Sequence, residues 1–186
     1  GGLEAVLTTD TWAGSLAGDS SAVAVQRLNQ QIGQIMLAAA NISESSSDAD
    51  PVQVSLAVGA ELADQAADQG AEALTTTETL QSVLTDAFEV AAPSLDLKAQ
   101  DVVAIASSLG SLNAVIGTQT LNPSSADAVE IAKTVQTDFA TSVSSLISGE
   151  SSTAVFSANT ASTALLANTE FLANSADTDS DGVPDA

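Results

Sequence analysis

Aspartates at alternate positions near the end of the sequence form the pattern best suited to a specific chemical role. Asp177, Asp179 and Asp181 are each separated by one residue, and a Gly-x-Pro-Asp sequence follows directly. Calcium prefers about six to eight hard oxygen ligands on a loop that bends tightly. Alternate aspartates place three carboxylates on one concave side, Gly182 permits the sharp turn, and Val183 can offer its carbonyl oxygen. This spacing predicts a calcium site.

Asp185 falls at the ninth position of this loop, where a ligand often acts through a water molecule. The Glu usual at the twelfth position is missing, because the sequence ends at Ala186. We therefore expect this sequence to be a piece of something longer, or a processed form. The alternative interpretation of the loop is an acidic linker whose carboxylates are only solvated.

The pattern Asp-x-Asp-x-Asp-Gly-x-Pro-Asp over residues 177–185 resembles the thrombospondin type 3 class of calcium-binding repeats. Such repeats are common as rigid linkers in very large bacterial surface and secreted proteins. The resemblance implies that Asp177, Asp179, Asp181 and Asp185 are ligands and that a following repeat completes the site. The acidic, cysteine-free body is also similar in composition to regions of large secreted bacterial adhesins.

Residue types that usually carry catalysis are scarce in this chain. The sequence contains no Cys, His or Tyr, so the common general bases and nucleophiles are missing. A Gly-rich phosphate loop, a Gly-x-Ser-x-Gly elbow and a Ser-x-x-Lys motif are also absent. Paired carboxylates can cleave glycosides, but such sites usually lie in aromatic-lined clefts, and aromatic residues are only 3% of the chain. We therefore predict a protein that is not an enzyme.

The charge of the chain limits its partners. Acids outnumber bases 24 to 3, which gives a net charge of −21. Nucleic acids and anionic membrane surfaces bind through Lys and Arg, so neither is an expected partner. Calcium, basic surfaces, neutral polymers, other copies of the chain and neighbouring domains remain. Solubility maintained by carboxylates fits an exported protein in salt, which predicts an extracellular or cell-surface location.

Two smaller charged features have alternative interpretations. Glu61, Asp64, Asp68 and Glu72 are spaced by three and four residues, which predicts one stripe along a helix. The stripe is either a surface for divalent ions or basic partners, or an ordinary solvated face. Arg27 is expected to pair with an acid of its own domain, and the alternative is a carboxylate of a partner.

Helices are the elements that would position these residues. Apolar residues recur at helical spacing, and Asp50-Pro51 is typical of a helix start. The sequence predicts an all-α, antiparallel bundle of about five to seven helices over residues 1–175, followed by an extended Asp-rich segment over 176–186. No segment reaches the roughly 20 apolar residues of a membrane span. Beyond a short opening helix, the predicted helical ranges are about 21–42, 51–74, 77–91, 97–116, 124–147 and 152–174.

The same periodicity predicts which helix faces are buried. In the first long helix the expected buried residues are Val25, Leu28, Ile32, Ile35, Ala39 and Ile42. In the second they are Val52, Leu56, Ala63, Ala67 and Leu74. In the third they are Leu80, Val83, Leu84, Ala87 and Phe88.

Taken together, these features indicate a structural or interaction module of a large exported bacterial surface protein, adhesin-like and adjoining calcium-rigidified repeats. The alternative is a subunit of a self-assembling extracellular filament or surface layer. A glycosidase or lyase that uses acidic residues is a third and different class.

Overall fold

Local sequence signals set the helix boundaries. In the computed structural model, which describes residues 20–44, 49–118 and 126–161, the Asp50 side chain accepts a hydrogen bond of 2.9 Å from the Val52 amide. Pro51 follows at the first helical position, and Gly70 ends the same helix at a φ of 64°. An acidic cap, a proline with no amide to satisfy and a glycine in the left-handed region are the expected start and stop signals.

The described residues form an all-α fold, which confirms the predicted class. The α-helices are α1 (Ser20–Glu44), α2 (Pro51–Gln69), α3 (Thr77–Ala91), α4 (Ala99–Thr118) and α5 (Ala126–Ile147). A 3-10 helix at Gly70–Leu74 follows α2, and residues 153–161 are helical and are named α6. No β-strand occurs in these three ranges.

Helix α3 has the bounds and the buried face that its sequence predicts. All five expected core residues are buried. The helix ends where the Ala92 amide bonds to the Phe88 carbonyl at 2.8 Å. Pro93 follows directly and could not continue the helical bonding. Fully burying each large apolar side chain contributes about 1.5–3 kcal/mol, so this face anchors the helix strongly.

The predicted buried face of α2 is wrong. Val52 and Leu56 are each 64% exposed, and Ala63 and Ala67 are exposed as well. The buried residues of α2 are instead Val54, Val58 and Leu62. Leu74 is buried, but it belongs to the 3-10 helix. The helix has two apolar stripes at four-residue spacing, and only contact with its neighbours decides which one faces the core.

Helices α1 to α4 form a ring in which each packs on the next. α1 contacts α2, α4 and α5, while α3 contacts α2 and α4. Arg27 bonds to Gly117 and Gln31 to Asn113, so α1 and α4 are antiparallel.

Helix α6 contacts α4 and α5. Hydrogen bonds join Thr153 to Asp101 and Thr160 to Ser108, so α6 runs parallel to α4 and the bundle is not antiparallel throughout. The ring of Phe156 lies 6.1 Å from that of Phe139 on α5.

Helix α4 corrects one sequence expectation. Among the described residues, the stretch Ala99–Gly117 is long and apolar enough to cross a membrane by length and composition, with a mean hydropathy of 1.3. Half of that stretch is buried inside the fold. It packs against α1 and α3 and contains the buried polar residues Asp101 and Asn113. In this fold α4 is a core helix of the bundle.

Candidate functional site

The predicted calcium ligands lie outside the described residues. This applies to Asp177, Asp179, Asp181, the Val183 carbonyl and Asp185, and to the segment 176–186 as a whole. The calcium site therefore stays a prediction from sequence.

The four acids of the predicted stripe do not form one continuous helix face. Glu61, Asp64 and Asp68 lie on α2, whereas Glu72 belongs to the 3-10 helix that follows. Asp64, Asp68 and Glu72 are exposed. Within the described ranges no group of three or more Asp, Glu, His or Cys residues is arranged to hold a metal ion. Exposure is consistent with a solvated face, and the alternative of a surface for divalent ions or basic partners stays a prediction.

A pocket of about 360 Å³ opens at the corner where α3 ends and α4 begins. We call it the corner pocket. Phe88, Ala92 and Val102 line it with buried apolar side chains. Glu89 and Asp96 line it with exposed carboxylates. The pocket therefore has an apolar wall and two negative charges on its solvent side.

No basic residue in the last turn of α3 balances the negative charge of Glu89 at the corner pocket. The C-terminal end of an α-helix carries a partial negative charge of roughly half an elementary charge. Glu89 adds a full charge in the last turn of α3, and that turn contains no basic residue. Lys98 is the cation closest in sequence; it is exposed and forms no ion pair with a described carboxylate. The first turn of α4 also lines the corner pocket, and a helix start carries a partial positive charge, so groups of both signs surround the pocket.

A second polar feature lies between α1 and α4, and its residues Gln31 and Asn113 are buried. The Gln31 side chain donates to the Asn113 carbonyl at 2.7 Å. The Asn113 side chain donates to the carbonyl of Leu74 at 2.7 Å and to that of Gln31 at 3.4 Å. These bonds tie α1, α4 and the 3-10 helix together. We name this feature the polar seam; its members are Arg27, Gln31, Gln34, Asn113 and Gly117.

Within the described ranges Arg27 pairs with no acid, and its predicted pairing with an acid of its own domain stays a prediction. Its Nη1 donates to the Gly117 carbonyl at 3.4 Å. This carbonyl lies near the C-terminal end of α4, where the helix dipole favours a positive charge. The end of α4 is therefore a favourable position for the Arg27 charge.

The polar seam is incompletely satisfied. Arg27 Nε, Gln34 Oε1 and Asn113 Oδ1 are buried and have no hydrogen-bond partner among the described residues. Each unpaired buried polar atom costs about 1–3 kcal/mol of desolvation. The seam therefore combines specific bonds with polar atoms that have no partner among the described residues.

The buried carboxylate of Asp101 has a structural explanation. It lies in the first turn of α4, where the partial positive charge of a helix start stabilises an anion. Its Oδ1 accepts a bond of 3.2 Å from the Thr153 hydroxyl of α6. Seven residues further along both helices, the buried hydroxyls of Ser108 and Thr160 lie 2.8 Å apart. Asp101 thus helps to fix α6 on α4.

Sequence reasoning missed both the corner pocket and the polar seam. The segment around Pro93 carried a weak signal for the pocket, because Glu89 and Asp96 flank a helix end among apolar residues. Glutamines at 31 and 34 gave no signal, since Gln is ordinarily a surface residue.

Comparison of the chain with protein-family models, curated proteins and solved structures finds no match in any of the three. Its function therefore has to be argued from its own residues.

Proposed function

We propose that this chain is a non-catalytic structural or interaction module of a larger secreted or cell-surface bacterial protein, adhesin-like and joined to calcium-rigidified repeats. The observation that carries the proposal is the spacing of Asp177, Asp179 and Asp181, followed by Gly-x-Pro-Asp. The proposed location is extracellular, where calcium is abundant enough to fill sites of modest affinity.

The helical body supports a role as a spacer or presenting unit. Helix α1 has 25 residues, which corresponds to a length of about 37 Å. Hydrogen bonds from Asn113 and Thr160 fix neighbouring helices in register. A body of this kind can hold the two ends of a module at a defined separation.

Calcium would act on the terminal segment by neutralising its charge. Without a cation, the carboxylates of Asp177, Asp179 and Asp181 repel one another, which disfavours a compact loop. Calcium bound to these carboxylates, to the Val183 carbonyl and through water to Asp185 would offset that repulsion. Binding and local folding would then be coupled, as is common at metal sites. A following repeat would supply the remaining oxygen ligands and turn a linker into a rigid rod.

A calcium titration tests this proposal. The 186-residue chain and a form extended through the residues that follow Ala186 in the parent protein are titrated with calcium by calorimetry. Each is also subjected to limited proteolysis with and without calcium. We expect the extended form to bind calcium and to be cleaved more slowly near residues 176–186 when calcium is present. Magnesium at the same concentration should protect less, because it keeps its own water ligands.

Matched variants locate the effect. Asp181→Asn in the extended form should weaken calcium binding at least about tenfold, because a charged ligand is replaced by a neutral one. Asp64→Asn on α2 makes the same substitution at an exposed position and should leave binding unchanged. No heat and no protection in the extended form would remove the calcium part of the proposal.

An exposed apolar stripe on α2 favours a second candidate, a subunit that assembles with copies of itself. Val52 and Leu56 expose large side chains, and Ala60, Ala63 and Ala67 continue the exposed surface along the helix. Contiguous exposed apolar surface often marks an interaction site. Sedimentation over a range of concentrations, with and without calcium, separates the two candidates. Self-assembly requires an average mass that rises with protein concentration, and Leu56→Glu should lower that mass at a given concentration. A simple module remains monodisperse at every concentration.

A further inference from the structure

We propose that the exposed apolar stripe on α2 binds the same stripe of a second copy of this chain, with the two helices antiparallel about a two-fold axis. The stripe consists of Val52, Leu56, Ala60, Ala63 and Ala67, all of which are exposed. The inference rests on the second candidate function and adds the geometry of the contact. Such a contact closes on itself and gives a dimer, because both copies use the same surface.

The stripe lies on the side of α2 that points away from the core. An α-helix has 3.6 residues per turn, so the five stripe residues lie within about 40° of one line along the helix. The buried residues of α2, which are Val54, Val58 and Leu62, lie on the opposite side. Val52 and Leu56 are each 64% exposed, and contiguous exposed apolar surface often marks an interaction site.

The sizes of the stripe residues favour a second copy as the occupant. Val52 and Leu56 lie in the first half of the stripe, and only alanines follow in the second half. In an antiparallel pair centred on Ala60, Leu56 of one copy meets Ala63 of the other. Val52 then meets Ala67, so every large side chain packs beside a small one without leaving a void. A parallel pair would place leucine against leucine and leave a gap between the alanines.

The charges of α2 favour the same alignment. All of its carboxylates lie in its second half, and residues 51–60 contain no charged side chain. Asp64 and Asp68 of one copy would lie beside that uncharged half of the other, where the exposed amide of Gln53 can donate a hydrogen bond. The cap residue Asp50 already accepts a bond from a backbone amide of its own helix. The two copies of Asp64 would be about 12 Å apart along the helices, beyond the Debye length of about 8 Å at physiological salt.

The contact is small for a protein–protein interface. The stripe from Val52 to Ala67 is about 22 Å long on a helix about 10 Å wide, whereas a standard interface buries about 800 Å² on each partner. We therefore expect weak association between free chains. Copies held side by side on one surface would meet at a much higher effective concentration, which links the contact to the proposed cell-surface location.

Disulfide cross-linking tests the geometry, because the chain contains no cysteine of its own. Under mild oxidation Ala60→Cys should form a disulfide with a second copy of itself, since the two-fold axis brings these Cα atoms within the roughly 7 Å that a disulfide spans. Leu56→Cys alone should not, because its two copies would lie about 12 Å apart along the helices. A mixture of Leu56→Cys with a mass-tagged Ala63→Cys should cross-link again, between the two different chains.

A matched control measures random collision. Ser107→Cys places a thiol on an exposed position of α4. We expect Ala60→Cys and the mixture of Leu56→Cys with Ala63→Cys to cross-link at least about tenfold faster than Ser107→Cys at equal protein concentration. All of the substituted positions are exposed, so the variants are expected to fold, which far-ultraviolet circular dichroism checks.

Two results would overturn the proposal. Cross-linking of Ala60→Cys no faster than that of Ser107→Cys would show that the stripe is not the contact. Cross-linking of Leu56→Cys alone as fast as that of its mixture with Ala63→Cys would show a parallel or unordered contact. If the sedimenting mass still rises with concentration in either case, this proposal fails while the second candidate function stands through another contact. A constant mass without cross-linking removes both.

Discussion

The acidic stripe of α2 and the polar seam between α1 and α4 are both polar surfaces on helices, but they are built in opposite ways. Asp64 and Asp68 in the stripe are charged and exposed, with no cation beside them on their own helix. Gln31 and Asn113 in the seam are neutral and buried, and they bond to specific backbone carbonyls.

The difference shows how a chain of net charge −21 divides its polar groups. The carboxylates of the stripe remain where water solvates them, because an isolated charge moved into a low-dielectric interior loses far more free energy than a neutral amide. The buried carboxylate of Asp101 is not isolated, since it has a helix start and the Thr153 hydroxyl beside it. Neutral amides can enter the core when backbone acceptors lie within reach. Next to the seam, Gly110 on α4 also permits close approach of the Thr75 backbone. Substitutions near the seam should therefore lower the free energy of unfolding strongly, whereas substitutions on the stripe should change it little.

Gly110→Ala should lower the free energy of unfolding the most. A Cβ atom at this position on α4 would lie 2.6 Å from the Thr75 carbonyl oxygen, a backbone atom that cannot turn away. We expect a loss of about 2–3 kcal/mol in the free energy of unfolding, after allowing for the better helix propensity of alanine. Urea unfolding followed by circular dichroism measures it.

Gly59→Ala is the matched control for that substitution. A Cβ atom at Gly59 on α2 meets no atom within 4 Å. The change should stabilise the protein by about 0.5–1 kcal/mol through helix propensity alone. Equal effects at Gly59 and Gly110 would contradict the close contact between α4 and the segment that precedes α3.

Asn113→Ala should give the next largest loss in the free energy of unfolding. It removes both amide bonds of a fully buried side chain and leaves the Leu74 carbonyl without this donor. We expect a loss of about 2 kcal/mol, because an unpaired buried acceptor is expensive. Asn29→Ala places the same substitution on an exposed position of α1 and should be close to neutral. A neutral result at Asn113 would mean that the seam contributes nothing to stability.

The double substitution Asp64→Asn with Asp68→Asn should change the free energy of unfolding least, and should raise it rather than lower it. Like charges four residues apart on a helix repel by about 0.2–0.5 kcal/mol, so their removal should stabilise the protein slightly at low salt. The gain should vanish near 0.5 M salt, where such repulsion is screened within about 5 Å. Unfolding measured at two salt concentrations checks this. A loss above about 1 kcal/mol would show that the stripe makes structural contacts.

Local signals were enough to predict α3 but not the orientation of α2. In α3 the five residues predicted to face the core follow a single face, and all five are buried. In α2, Val52 and Leu56 form one candidate stripe and Val54 and Val58 another. Amphipathic periodicity cannot choose between two stripes of similar hydrophobicity, and the contacts with α1 and α3 decide.

Hydrogen bonds between residues far apart in the sequence could not be predicted, for a related reason. Gln31 and Asn113 are 82 residues apart, and neither residue type favours burial on its own. The corner pocket likewise arises from a helix end, a loop and a helix start that meet only in the folded chain. Helical period and capping describe one element at a time and give no information about which elements meet.

The sequence alone determined the all-α class, the start of α2 at Asp50-Pro51, the end of α3 before Pro93 and the Asp spacing of the terminal segment. Each of these depends on interactions within a few residues, where caps, proline geometry and helical period act directly. Tertiary structure alone decided that α2 buries its Val54 and Val58 stripe, that neutral amides hold α1 to α4, and that Glu89 and Asp96 share a pocket. Those outcomes depend on packing between distant segments, where the free energy of the whole assembly selects among local alternatives that are nearly equal.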